Sequence, residues 1–325
     1  MKRTGSLPPA RSGGVFFASM VILVRIMLTQ KTLSNGLETY LKPVSGTEAV
    51  CAVVFVRVGS RYETRRTSGI AHFVEHLMFK GTKRRPRTEM IARELDGVGA
   101  EYNAFTTKDH TGYYIKLARE HLPLALDIIS DMLTGSLLLS EEIERERGVI
   151  LEEVKMYEEN PLMHIGDLAE QVMYGETPLG WCIAGTRDSV NGITRDDIMK
   201  FVGSAYRAPA MTLAIAGAIE VEETQKLVSK WFRGMKKGSG TFPKFVPYRT
   251  RISKVPQVAI DRRDTTQVHI ALSTDGVPYL DRRIEAYQLL SVILGGNMSS
   301  RLFTEVRERR GLAYYVRAEH GAYHD

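Results

Sequence analysis

The sequence predicts an α+β fold: two related α/β sandwich-like domains, each a mixed, mainly antiparallel sheet with helices packed on it, the second incomplete. Three observations predict it. Short apolar or alternating runs are interleaved with helical patterns over the first two thirds of the chain. The order strand, turn, helix then returns in weaker form near Gln267. The length, 325 residues, exceeds what one core of ordinary size fills.

Composition narrows the class. Hydrophobic residues make up 43% and charged residues 25%, as in ordinary globular proteins. The net charge of +6 comes partly from basic residues near the start and from clusters such as Lys83-Arg84-Arg85, which read as solvated surface. Nothing resembles a nucleic-acid module. The two cysteines, Cys51 and Cys182, build no disulfide framework and fit a reducing compartment. Cys51 lies in an apolar strand and is expected to be buried.

Residues 1–26 hold Lys2, Arg3 and Arg11 ahead of an apolar run from Val15 to Val24. The run is too short to span a bilayer, and no A-x-A cleavage pattern follows it. It reads as a leader or as a misassigned start ahead of Met27. Gln30 to Pro43 forms two short strands around a turn at Asn35-Gly36. Ala49 to Val58, apolar and β-branched, reads as a buried strand. Thr88 caps a helix that Gly97 and Gly99 stop. Glu101–Thr106 and Thr111–Leu117 form an antiparallel pair, and Leu122–Thr134 is helical. A helix from Ser140 to about Asn160 ends at Pro161. Thr194 caps a helix to Tyr206, Met211–Ala216 is a strand, and Val221–Phe232 is a helix. Residues 27–235 thus form the first domain. Lys236–Arg251, rich in Gly, Ser, Pro and Lys, is the linker. Residues 252–325 form a partial second domain.

One stretch carries chemistry: Gly69-Ile70-Ala71-His72-Phe73-Val74-Glu75-His76-Leu77-Met78-Phe79-Lys80-Gly81-Thr82. At roughly 100° per residue, His72 and His76 lie about 40° apart on a helix, with Glu75 about 60° to the other side. Neutral imidazoles are common zinc ligands, and Glu75 stands beside the metal rather than on it. The order H-x-x-E-H is the inverzincin signature. A third ligand must be an anion aimed inward. On the Ser140 helix, Ile143, Ile150, Val154 and Tyr157 share a core face. Glu146 and Glu153 lie on its flank, at about 300° and 280° from Ile143, while Glu152 lies near 180°. Of the adjacent pair, Glu153 is therefore the better candidate for the third ligand and Glu152 a solvated neighbour, with Glu146 on the same flank. The plain alternative pairs Glu146 and Glu153 with Arg145, Arg147 or Lys155 at a helix surface.

The second part echoes the first. Gln267–Thr274 reads as a strand and Arg282–Leu294 as a helix ending at Gly295-Gly296. Laying Gly296 on Gly81 puts Tyr287, Leu290 and Ser291 in the places of His72, Glu75 and His76, so this copy lacks metal ligands. The first unit continues far beyond Tyr102, whereas the sequence ends at Asp325. The second domain is therefore expected to show an unpaired strand edge and exposed apolar surface, as in a fragment or a chain completed by a partner.

Four blocks carry a resemblance that covers the chain from about Leu33 onward. They are G-I-A-H-F-V-E-H-L-M-F-K-G-T, N-A-F-T-T-K-D-H-T-G-Y-Y, I-E-R-E-R-G-V-I-L-E-E-V and S-S-R-L-F-T-E-V-R-E-R-R-G-L-A-Y. With them the sequence resembles the pitrilysin/insulinase superfamily, in particular processing-peptidase β-subunits and their bacterial relatives. The resemblance implies one Zn²⁺ per chain held by His72, His76 and Glu153, with Glu75 as general base and Glu146 as a supporting acid. It implies that the strand at Asn103, Ala104 and Phe105 pairs with substrate backbone. It also implies that Arg307 and Tyr314 hold the substrate carbonyl from across a cavity. The activity implied is endopeptidase cleavage of extended, unstructured peptides or presequences. The implied partners are a second copy or a homologous subunit, with no membrane span, in a bacterial cytoplasm or else a mitochondrial matrix. Two other readings stay open: a non-catalytic partner subunit of the same fold, and a metal-free peptide clamp.

Overall fold

The computed structural model describes residues 28–237, 242–248 and 255–325. The leader expected over residues 1–26 and parts of the expected linker lie outside the described residues. Six strands form one sheet: β1 (Thr29–Thr32), β2 (Glu38–Pro43), β3 (Ala49–Val56), β4 (Glu101–Thr106), β5 (Thr111–Ala118) and β6 (Met211–Gly217). Their order is β1-β2-β6-β3-β5-β4. Only β2 and β6 run parallel; the other neighbours are antiparallel. A mixed, mainly antiparallel sheet is thus present, as the sequence predicts, and β4 is an edge.

One face of the sheet is dry because the strands alternate. Val50, Ala52, Val54 and Val56 are buried together with Leu213, Ile215, Tyr113 and Ile115. The opposite face, with Cys51, Val53 and Phe55, is half-buried. Cys51 is therefore not in the core: its strand reads as continuously apolar, yet only every second residue faces the helices.

The helices are α1 (Ile70–Leu77), α2 (Thr88–Asp96), α3 (Leu122–Gly135), α4 (Ser140–Glu159), α5 (Pro161–Tyr174), α6 (Arg187–Gly192), α7 (Arg195–Ala205), α8 (Val221–Phe232) and α9 (Ile284–Ser291). Helix α3 packs on β3 and β5 and against α8. In α1, Phe73, Val74 and Leu77 enter the core, which turns the histidine side toward α4 and β4. Thr88 is the first residue of α2 rather than its cap; Arg87 holds that place. Helix α4 ends at Glu159, just ahead of Pro161, as the sequence predicts, but the proline does more than stop it. It opens α5, where its missing N–H costs nothing, and the Asn160 side chain caps the Leu162 N–H. Among the described residues no helix is long and apolar enough to cross a membrane.

The stretch after α1 is fixed by buried charge. Thr82 Oγ1 donates to Asp131 Oδ2 (2.5 Å) and Arg85 Nη1 donates to the same oxygen (3.1 Å). Arg84 Nε pairs with Asp131 Oδ1 at 3.1 Å, and Arg85 also reaches Glu94 and Asp127.

Beyond residue 255 the structure departs from the repeat reading. Gln267–Thr274 pairs with no strand among the described residues, and Val268, Ile270 and Leu272 are 87%, 78% and 95% exposed. Its alternation is that of a strand, but a strand without a neighbour leaves its N–H and C=O groups to water. Helix α9 is shorter than expected and passes into a π-helical turn at Val292–Gly296. The last residues return to the first unit: Tyr323 donates to Glu170 (2.5 Å) and Arg61 pairs with Asp325 (2.6 Å).

Asp131 is 4% exposed and is shared by three partners. Asp131→Ala leaves Arg85 buried with less compensation and is expected to cost about 3–5 kcal/mol in denaturant unfolding. Lys116→Ala, which breaks a pair exposed on the sheet, should leave the unfolding midpoint unchanged.

Candidate metal centre

Helices α1 and α4 pack together, and their contact assembles the polar cluster. His72 Nε2 lies 3.7 Å from Glu153 Oε2, and His76 Nε2 lies 3.5 Å from the same oxygen. The two imidazole rings are 4.6 Å apart, edge to face. One ligand atom from each residue lies within 4.8 Å of the others. Glu152 is exposed, whereas Glu153 is half-buried.

The donor set fits a small divalent cation. Two ligands about 2.0–2.1 Å from a tetrahedral ion stand about 3.3–3.4 Å apart. The two imidazole–carboxylate spacings are within a few tenths of an ångström of that. Two imidazoles and one carboxylate thus lie close enough to share one cation, and a bound metal ion or a proton on an imidazole would offset the carboxylate charge there.

Neighbouring groups set the orientation of each member. His76 Nδ1 donates to Glu146 Oε2 (3.1 Å), which leaves the Nε2 lone pair facing the cluster. Lys80 Nζ pairs with the other oxygen of Glu146 at 2.7 Å. Burial pushes the Glu146 carboxyl up, but the bonds from His76 and Lys80 prevail and hold it below the usual range. Burial works against a charged His76, yet Glu146 and Glu153 raise it above its ordinary value of 6.5. In His72 burial, then the neighbouring His76, outweigh the pull of Glu153 and push it down to about 4. Its Nδ1 is buried without a partner among the described residues.

Glu75 stands beside the cluster rather than in it. Burial raises its carboxyl above the usual range, against a bond from Thr106 Oγ1 (2.5 Å). Tyr157 Oη donates to Glu153 Oε1 (2.7 Å), so that Oε2 is the oxygen left to the imidazoles. Lys80, Thr106 and Tyr157 escaped the sequence reading. Tyr157 carried a readable signal, being one helical turn after Glu153.

A cavity of about 440 Å³ opens over these groups, with Ala104, Phe105, Met163, Cys182 and Ile183 on its apolar side. Cys182 is a neutral thiol there, pushed up to about 12 by burial and by Asp167. Ala104, Phe105 and Thr106 reach the cavity from the edge strand β4, while Asn103 is exposed and its Oδ1 accepts from the Ala104 N–H (2.9 Å). Arg307 and Tyr314 are brought together but not to this site. The Arg307 guanidinium lies 4.6 Å from the centre of the Tyr314 ring, Tyr314 is 86% exposed, and neither lines the cavity.

Comparison with known proteins divides the chain near residue 190, ahead of the linker expected at 236–251. Residues 40–187 match the family described as Insulinase (Peptidase family M16), and residues 192–325 match Peptidase M16 inactive domain. An uncharacterized zinc protease of Streptomyces coelicolor is 39% identical over 88% of this chain and 62% of its own length. The uncharacterized zinc protease YmxG of Bacillus subtilis is 35% identical over 92% of this chain and 71% of its own. The chain thus spans less than two thirds of the first relative. The crystal structure of a protease from Helicobacter pylori matches with a TM-score of 0.83 at 25% identity, covering 92% of this chain and 72% of that one. The chain belongs to the insulinase family, peptidase family M16.

Proposed function

We propose that the chain is a zinc-dependent endopeptidase acting on extended, unstructured peptides, with one zinc held by His72, His76 and Glu153. The observation that carries this reading is the convergence of those three side chains beside the buried carboxylate of Glu75. The names of the relatives, zinc proteases, point the same way.

A zinc ion bound there would supply Lewis acidity, lowering the pKa of water toward neutrality and polarising the scissile carbonyl. Glu75 accepts the proton of the attacking water and delivers it to the leaving amine. Its raised carboxyl pKa suits both halves of that transfer, and Thr106 keeps it pointed at the cavity. Glu146 fixes the His76 ring and its tautomer. Substrate adds as a strand on the open edge of β4, its side chains meeting the apolar wall. An unfolded segment can take that place; a folded domain cannot. Arg307 and Tyr314 would reach a substrate carbonyl only in an arrangement that carries them from their present stacked positions to the cavity.

Glu75→Gln is expected to abolish cleavage of a peptide mixture followed by mass spectrometry, with zinc still bound at one per chain. Cleavage at the normal rate would remove Glu75 from the mechanism. Tyr157→Phe frees one oxygen of Glu153 and should weaken zinc by about 10-fold or more in chelator competition. Zinc uptake should also depend on pH. A protonated His76 cannot ligate, so affinity falls as the pH drops through its raised pKa, above 6.5. Glu146→Gln removes the anion that raises His76, so this limb should move to lower pH. A limb that stays in place would break the assigned link between Glu146 and His76.

A further inference from the structure

Helix α1 begins without a cap of its own. Its N-cap residue is Gly69, in the left-handed region at φ +93°, with no side chain to accept from the first turn. No other residue fits. A Cβ on Gly69 would meet the Ala184 carbonyl oxygen at 2.6 Å, and one on Gly185 would collide with Ser68 O. The rim segment Trp181–Gly185 thus crosses the entry to the metal helix backbone on backbone. That close approach forbids the side chain that would ordinarily satisfy the orphan N–H groups.

The bonds come instead from Glu63. Its Oε2 accepts from the Gly69 N–H and its Oε1 from the Ala71 N–H, both at 2.8 Å. The residue is 7% exposed, so both oxygens are committed to the helix. The Lys108 ammonium attracts its carboxylate. Lys108 is itself 2% exposed, donating to Trp181 O (2.5 Å) and pairing with Glu170 (2.9 Å). The helix entry and the cavity rim are therefore held from one buried polar centre.

We infer that Glu63 is the positioning residue of the metal helix: by capping α1 from outside, it sets how far the helix enters the cavity and which way His72, Glu75 and His76 face. A carboxylate at a helix N-terminus also meets the positive end of the helix dipole. This inference rests on the metal-centre reading above, and its test separates the two.

The full chain, stripped of metal, is titrated with zinc against a competing chelator. The unchanged protein is compared with Glu63→Gln, Glu63→Asp and Thr194→Ala. Cobalt substitution supplies a spectrum that reports ligand geometry. Thr194 caps α7, which carries no ligand, and serves as the control for lost stability. Both Glu63 variants should bind zinc about 10–100-fold more weakly and shift the cobalt bands. Thr194→Ala should lower the melting temperature with zinc affinity unchanged. Where Glu63→Gln does not fold, Glu63→Asp carries the test, since it keeps the charge but falls one methylene short of the two N–H groups. Folded Glu63 variants that match the unchanged protein in affinity and cobalt spectrum overturn the inference and leave the metal centre standing. So does a Thr194→Ala chain that loses as much zinc affinity as they do. An unchanged protein that takes up no zinc overturns the metal centre, and this inference with it.

Discussion

Two imidazoles and a carboxylate crowded together are favourable when a positive charge, a metal ion or a proton, lies among them. The packing of α1 on α4 imposes that arrangement on His72, His76 and Glu153. Much of the surrounding structure serves to keep it. Glu153 is held by Tyr157, His76 by Glu146, Glu146 in turn by Lys80, and the neighbouring Glu75 by Thr106. Each bond satisfies a group that desolvation would otherwise penalise. The two imidazoles share Glu153 but differ because only His76 has a carboxylate on Nδ1. His76 is held ready to be charged by the carboxylates around it, while His72, deeper and without a partner on Nδ1, stays neutral.

What the sequence made legible follows from periodicity. His72 and His76 fall on one face at helical spacing. The same count separates Glu153 from Glu152, and the structure shows one half-buried and the other exposed. The strands of the sheet were readable because each has a neighbour that rewards its alternation. Where no neighbour exists the signal misleads: Val268, Ile270 and Leu272 alternate as a strand should, yet stay exposed and unpaired among the described residues. Helix α5 was missed because Pro161 marks an ending and a beginning equally well; the Asn160 cap would have decided it. Lys80, Thr106 and Glu63 left no local trace, since each reaches its partner through tertiary approach rather than spacing.

The edge position of β4 ties these observations to the proposed reaction. An open edge is a hazard in most sheets because its N–H and C=O groups invite any passing strand. Here one of those groups is already occupied: the Ala104 N–H donates to the Asn103 side chain. An incoming peptide would exchange that bond for one to its own carbonyl. Exchanging one such bond for another changes the free energy little, since each is worth only about 1 kcal/mol net. Admission at the edge is then nearly neutral. The gain must come from side chains meeting Phe105, Met163 and Ile183 on the cavity wall. On the proposed reading, discrimination among peptides would then belong to the wall. The strand edge would supply the requirement that the peptide be extended, and its backbone register would determine which peptide bond lies beside Glu75.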